Sequence, residues 1–333
     1  MTAISLEPRA VARSLDDLLK GVADRTAMKT SDSKSGSSFE RVLIDGERAV
    51  VKYLHCDDDW LQRCTGDLRC RPVAVWQAGI FDALPATIDH AMIGCASGLG
   101  RGGWGAALLM RDVSDHLVPE GDDPISLDQH ERFLDHLAGL HAAFWGGVDG
   151  VELMPMSHRY FELSPTTAEM EAALGNRGGV PPIIGAGWPR FADEAPEAAA
   201  TVLPLLQAPW PLVDALERMP ITFIHGDTKL GNLGSTPDGR TVLLDWAVPG
   251  NAPACVELAW YLAVNSARLP HAKEDAIATY RDALHRHGVD TASWWEAQLE
   301  LSLLGALVQL GWEKRGDELA WWVDRALRAA RHL

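Results

Sequence analysis

The sequence predicts an α+β fold of two lobes: a small β-rich N-terminal lobe over residues 1–112 and a larger helical C-terminal lobe over residues 113–333. Three observations predict it. Early strand-like runs come in pairs with turn signals between them, Phe39 to Ile44 with Arg48 to Leu54, then Thr87 to Ala96 with Ala106 to Val113. From Ser126 onward, apolar residues recur mostly at helical spacing. Between helices, a short apolar strand, Ile221 to Ile224, opens onto a polar loop, and a second run, Val242 to Leu244, ends in Asp245.

In chain order, residues 5–25 read as an amphipathic helix, with Ser14 and Asp17 capping its second half. Residues 28–38 are polar and Ser-rich, as suits a linker or a ligand-covering loop. Asp45-Gly46 is a hairpin signature. A helix is expected from Pro72, tolerated in a first turn, to Ala83. Gly98, Gly100 and Gly103 match G-x-G-x-x-G, but they open a strand and not a helix, so they read as a hairpin turn. Ser126 and Gln129 form a capping box for a helix to Trp145, with His141 on its apolar face as a core histidine. Residues 147–196 are rich in Gly and Pro and read as irregular, with one helix from Thr166 to Leu174, fit for a lid or a substrate wall. Helices follow at 197–206, 210–218, 256–266, 271–287, 292–314 and 317–332, and their tryptophans read first as core packing.

The most informative stretch is His225-Gly226-Asp227-Thr228-Lys229-Leu230-Gly231-Asn232, followed by the strand ending in Asp245. Its form is H-G-D-x-x-x-x-N and then a second Asp, the pattern of a kinase catalytic loop and its metal-binding carboxylate. Phosphoryl transfer needs a carboxylate to orient the attacking hydroxyl and accept its proton, and oxygen ligands to hold Mg²⁺ on the nucleotide phosphates. Asp227 suits the first task. Asn232 and Asp245 suit the second. The turn Thr236-Pro237-Asp238-Gly239 returns the chain so that Asp245 ends a hairpin.

These residues resemble the aminoglycoside phosphotransferase and choline kinase families, which share the protein-kinase-like fold. The Gly after His225 and the pair Asp245-Trp246 favour this branch. Gly250 to Ala259 resembles the families' G-x-x-x-x-D-L-A segment, with Glu257 in place of Asp and a longer spacing. Leu137 to Trp145 resembles their helix carrying L-A-x-L-H. The resemblance spans residues 38–265 and implies transfer of the γ-phosphoryl of Mg·ATP, or of GTP, to a hydroxyl of a small molecule. Lys52, in Ala49-Val50-Val51-Lys52, matches the strand lysine that pairs with the α and β phosphates. Leu108 to Val113, including Met110 and Asp112, matches the hinge that holds the nucleotide base. Lys229, two residues after Asp227, is either a solvated loop lysine or a cation that stabilises the transferring phosphoryl group. Kinases pair the strand lysine with a Glu, yet no Glu occurs between residues 48 and 118. The nearby acids are Asp57, Asp58, Asp59, Asp67 and Asp82; either one of them substitutes, Asp67 and Asp82 being the first to test, or nucleotide alone positions Lys52. A peptide Ser/Thr kinase and a non-catalytic binding module are the alternative readings.

The bulk numbers fit an ordinary globular chain: 333 residues, 47% hydrophobic, 23% charged, with 46 acidic and 30 basic residues and a net charge of −16. With no basic patch, nucleic-acid binding is not expected. The acid surplus serves solubility or steers cationic substrates. No run of eighteen apolar residues suggests a membrane span. Five cysteines without C-x-x-C spacing, and a charged start from Met1 to Arg13, point to the cytoplasm. Nothing in the sequence indicates an oligomeric state.

Overall fold

The computed structural model describes residues 6–28, 35–176 and 178–333. The first helix, α1 (Leu15–Leu18), is capped as expected, the Ser14 hydroxyl accepting from the Asp17 amide at 3.1 Å. The helix expected over 5–25 nevertheless ends there. Gly21 takes φ +82°, a left-handed stop, and the chain continues as strand β1 (Val22–Met28). β2 (Ser38–Ile44) and β3 (Glu47–His55) form the expected hairpin, with Asp45 and Gly46 both at positive φ. Three short helices follow: α2 (Trp60–Thr65), α3 (Arg71–Gln77) and α4 (Ile80–Ala83). The single helix expected from Pro72 to Ala83 is broken at Gly79, where a Cβ would lie 2.1 Å from the Glu7 carbonyl oxygen. β4 (Ile88–Asp89), β5 (Met92–Leu99) and β6 (Gly105–Arg111) complete this region, and β5 and β6 pair antiparallel across the glycine-rich turn.

The helical region begins with α5 (Leu127–Ala143), whose cap Ser126 accepts from the Gln129 amide at 3.2 Å. The segment 147–196, expected to be irregular, is mostly helical: α6 (Met156–Phe161), α7 (Pro165–Ala173) and α8 (Pro181–Glu194). α9 (Pro196–Gln207) and α10 (Trp210–Glu217) lead into four short strands, β7 (Thr222–Ile224), β8 (Leu233–Ser235), β9 (Thr241–Leu243) and β10 (Gly250–Ala252). The last helices are α11 (Ala254–Val264), α12 (Lys273–Arg286), α13 (Trp295–Leu310) and α14 (Gly316–Ala329).

These elements group into two compact units. One gathers the described residues of Met1–Gly121, Asp149–Leu153 and Lys229–Pro249. It holds a five-stranded sheet in the order β1-β2-β3-β6-β5 and a three-stranded sheet in the order β4-β9-β8. Val42, Ala49, Val51, Ala107 and Leu109 form one core cluster of the larger sheet. Alternation along β3 turns Lys52 to the face opposite Val51. The other unit gathers Asp122–Val148, Met154–Thr228 and Gly250–Leu333. Its helices α5 to α14 bury Trp188, Trp295 and Trp322 at 3% exposure or less, so these indoles are core. Its two-stranded sheet pairs Gly250 with Ile224, which brings the start of α11 beside the loop that follows β7.

Candidate active site

In the helical unit, the backbone entering Asp227 is held from several sides. Glu257, fully buried on α11, accepts from the Gly226 amide through Oε1 at 2.5 Å and from the His225 amide through Oε2 at 3.0 Å. Two orphan amides and one carboxylate thereby satisfy each other in a dry interior. His141 Nε2 lies 2.9 Å from Glu257 Oε2, and its Nδ1 meets the Tyr280 hydroxyl. The expected core histidine is thus fully buried and satisfied on both nitrogens. Burial alone would raise the Glu257 carboxyl, but the hydrogen bond and charge of His141, with His225 and the Gly226 amide, outweigh it and hold the group below its ordinary range. Arg159, also buried, donates to the Gly226 carbonyl at 2.9 Å. His225 Nδ1 accepts from the Asp227 amide at 3.1 Å, Asn265 donates to the Thr228 carbonyl at 3.0 Å, and the Trp260 indole donates to Asp227 Oδ1 at 3.2 Å.

In the β-rich unit, the ladder of β8 and β9 sets Leu233 opposite Leu243, and the Leu244 amide donates to the Asn232 carbonyl at 2.9 Å. Asn232 therefore lies beside the residue that precedes Asp245. Asp245 takes φ 61°, a left-handed conformation that Asp tolerates better than most residues. Its Oδ1 sits 2.7 Å from Lys52 Nζ, with the lysine 8% and the aspartate 33% exposed at their side chains. Lys52 also lies over the Phe39 ring at 5.7 Å. Lys229 is half-buried, its carbonyl accepting from the Asn232 amide.

Two expected partners of Lys52 are engaged elsewhere. Asp82 pairs with Arg9 on the surface, and Asp67 accepts from the Arg71 amide. Asp59, 3% exposed, caps α2 and accepts from the Ser35 and Ser37 hydroxyls at 2.8 and 3.3 Å. Burial raises its carboxyl, while Ser35, the Gln62 amide and the charge of Lys52 act against that shift. Asp59 thus ties down the end of the Ser-rich stretch, of which residues 29–34 lie outside the described residues. At the other end of the sheet, Met110 pairs with Val50 and Met92. The Asp112 amide donates to the Arg48 carbonyl, while its carboxylate faces Arg41 at 3.3 Å and accepts from Ser114. Burial raises the Asp112 carboxyl, but Ser114, Arg48 and Arg41 hold it below its ordinary range.

The Asn232 amide oxygen and the Asp245 carboxylate are hard oxygen donors of the kind Mg²⁺ takes, and Asp245 Oδ1 is the oxygen that Lys52 holds. Sequence reasoning missed Trp260 and Arg159, and named Asp59 only as an acid near Lys52, without its capping role. The i, i+3 spacing from Glu257 to Trp260 signalled that both lie on one helix face, and Asp59 carried an N-cap signature ahead of Trp60.

A sequence model of the phosphotransferase enzyme family matches residues 33–291. No curated protein matches the sequence. Among solved structures, choline kinase LicA from Streptococcus pneumoniae superposes with a TM-score of 0.52 at 13% identity, over 95% of each chain. LicA in complex with AMP gives 0.51 at 13%, over 93% of this chain and 91% of that one. The aminoglycoside phosphotransferase APH(3'')-Id from Streptomyces rimosus gives 0.46 at 18%, over 86% and 93%. The LicA superpositions show a shared fold, and the expected α+β, protein-kinase-like architecture is the one this chain has.

Proposed function

The chain belongs to the phosphotransferase enzyme family, and from that premise we propose that it transfers the γ-phosphoryl group of ATP, or of GTP, to a hydroxyl of a small molecule. The observation that supports this reading is the hydrogen bond from the Leu244 amide to the Asn232 carbonyl, with the next residue, Asp245, 2.7 Å from Lys52. Residues 1–112 serve as the nucleotide lobe, and residues 113–333 supply catalysis and the acceptor site. Lys52 binds the phosphates, and the stretch holding Met110 and Asp112 receives the base. Asn232 and Asp245 hold Mg²⁺, which when bound offsets phosphate charge. Asp227 orients the acceptor hydroxyl and takes its proton, and Lys229 stabilises charge on the transferring group. The LicA likeness, which includes an AMP complex, supports an adenine nucleotide and a compact hydroxyl-bearing acceptor.

The net charge of −16 supports a cationic or amine-bearing acceptor, drawn in by field as well as fit. Five buried free thiols suit a reducing compartment such as the cytoplasm. Among the described residues, no helix is long and apolar enough to cross a membrane.

The test is a phosphorylation panel of amines, neutral polyols and Ser/Thr peptides at low and high salt, run with the native enzyme and with Asp227→Asn. An amine-bearing acceptor should be favoured, with affinity falling as salt shrinks the Debye length from ~10 Å to ~3 Å. Asp227→Asn should lower turnover by ~10²–10⁴-fold. Phosphorylation of peptides alone would move the reading to a Ser/Thr kinase, and absence of transfer to every acceptor would move it to a binding module.

A further inference from the structure

Asp227 is held from α11 as well as from its own loop. Trp260 is 7% exposed, and its indole N–H lies 3.2 Å from Asp227 Oδ1. One helical turn earlier, Glu257 fixes the amides of His225 and Gly226, and at the end of the helix Asn265 fixes the Thr228 carbonyl. One rigid, buried helix thus contacts four consecutive loop residues. The Trp260 contact reaches the Asp227 carboxylate, whereas those of Glu257 and Asn265 reach backbone. Trp260 is itself buried, so its ring has little freedom to follow a moving partner.

We propose that Trp260 is a positioning residue that fixes the plane of the Asp227 carboxylate for the acceptor hydroxyl. The inference rests on the assignment of Asp227 as the base. A carboxylate on two freely turning torsions presents its oxygens in many directions. A donor from a rigid helix selects one of them, and reaction rates are sensitive to displacements of about 1 Å at such a group. A buried indole N–H also needs an acceptor for its own sake. A packing role and a positioning role therefore predict different outcomes when the donor is removed but the ring volume is largely kept.

The experiment is a double-mutant cycle of Trp260→Phe and Asp227→Asn, with turnover and nucleotide affinity measured for each enzyme. Trp260→Phe alone should lower kcat by about 10- to 100-fold, the range for a hydrogen bond to a charged group, with nucleotide affinity unchanged. In the Asp227→Asn background the same substitution should have little further effect. Nitrogen NMR adds a readout free of turnover. The Trp260 indole resonance, assigned by its loss in Trp260→Phe, should shift in Asp227→Ala while the other indoles stay in place. Additive losses in the two backgrounds, an equal loss of nucleotide affinity, or an unmoved Trp260 resonance would overturn the inference and leave the base assignment standing. Normal turnover in Asp227→Asn would remove the base assignment and this inference together.

Discussion

Lys52 and Asp245 are 193 positions apart in sequence and 2.7 Å apart in space. Lys52 itself was legible, because its place on the second strand of a hairpin fixes its face. Its partner was not, because periodicity carries no information about which distant loop lies opposite that face. Asp67 and Asp82, the acids nearest in sequence to the following helix, both serve local needs, an amide of α3 and a surface arginine. The pairing yields a prediction. Lys52→Ala should weaken Mg·nucleotide binding by about 10- to 100-fold, as expected for a charge-assisted bond to phosphate. Asp82→Ala should leave that affinity nearly unchanged. Calorimetry on the two variants decides it, and an equal loss in both would restore Asp82 as the lysine's partner.

At the scale of elements, α8 shows why the segment 147–196 was misread. Its sequence, Pro181 to Glu194, contains two early glycines and an internal Pro189, signals that normally argue against a helix. The glycines serve proximity. A Cβ at Gly187 would lie 2.4 Å from the Trp312 carbonyl oxygen, and one at Gly185 would lie 3.2 Å from the Ala168 side chain. Trp188 donates to the Leu163 carbonyl at 2.8 Å and Arg190 to the Trp312 carbonyl at 2.6 Å, so tertiary bonds hold what propensity would not. Composition alone cannot separate a glycine that loosens a loop from one that admits a neighbour. The amphipathic helix α12, free of that conflict, was legible within two residues. Gly187→Ala, though favourable by intrinsic propensity, should therefore destabilise the protein by about 1–3 kcal/mol through overpacking. Chemical denaturation measures this, and a stabilised variant would show that α8 can shift away from Trp312.

For the whole molecule, acid sensitivity should come in part from histidines kept neutral by burial. Burial lowers His130 and His90 from 6.5 to about 4. Each imidazole favours the folded state fully above about 6.5, where it is neutral in both states, and that contribution is lost as pH falls toward about 4. Global stability should accordingly decline across this window. His130→Gln should flatten the decline, since it removes one proton uptake on unfolding. Denaturation midpoints at several pH values test it, and parallel curves for the two proteins would refute the role of His130. Opposing contributions from buried acids such as Asp59, whose carboxyl is raised, cancel in that comparison. At this scale the sequence was at its most readable. Paired strands, helical spacing and one loop motif fixed the architecture, because those signals are local and repeated.

The five cysteines carry a consequence of another kind. All are free and buried, Cys56, Cys64, Cys70 and Cys95 within the β-rich unit and Cys255 alone within the helical one. Burial pushes the Cys70 and Cys95 thiols up to about 12 and Cys255 well above its ordinary value, so these three offer mild alkylating reagents almost no thiolate while the chain is folded. Each sulfur becomes a target only when its surroundings open. The molecule thus carries its own stopwatch: the order in which the four thiols and the one take up a label records which half comes apart first, with no probe added by design.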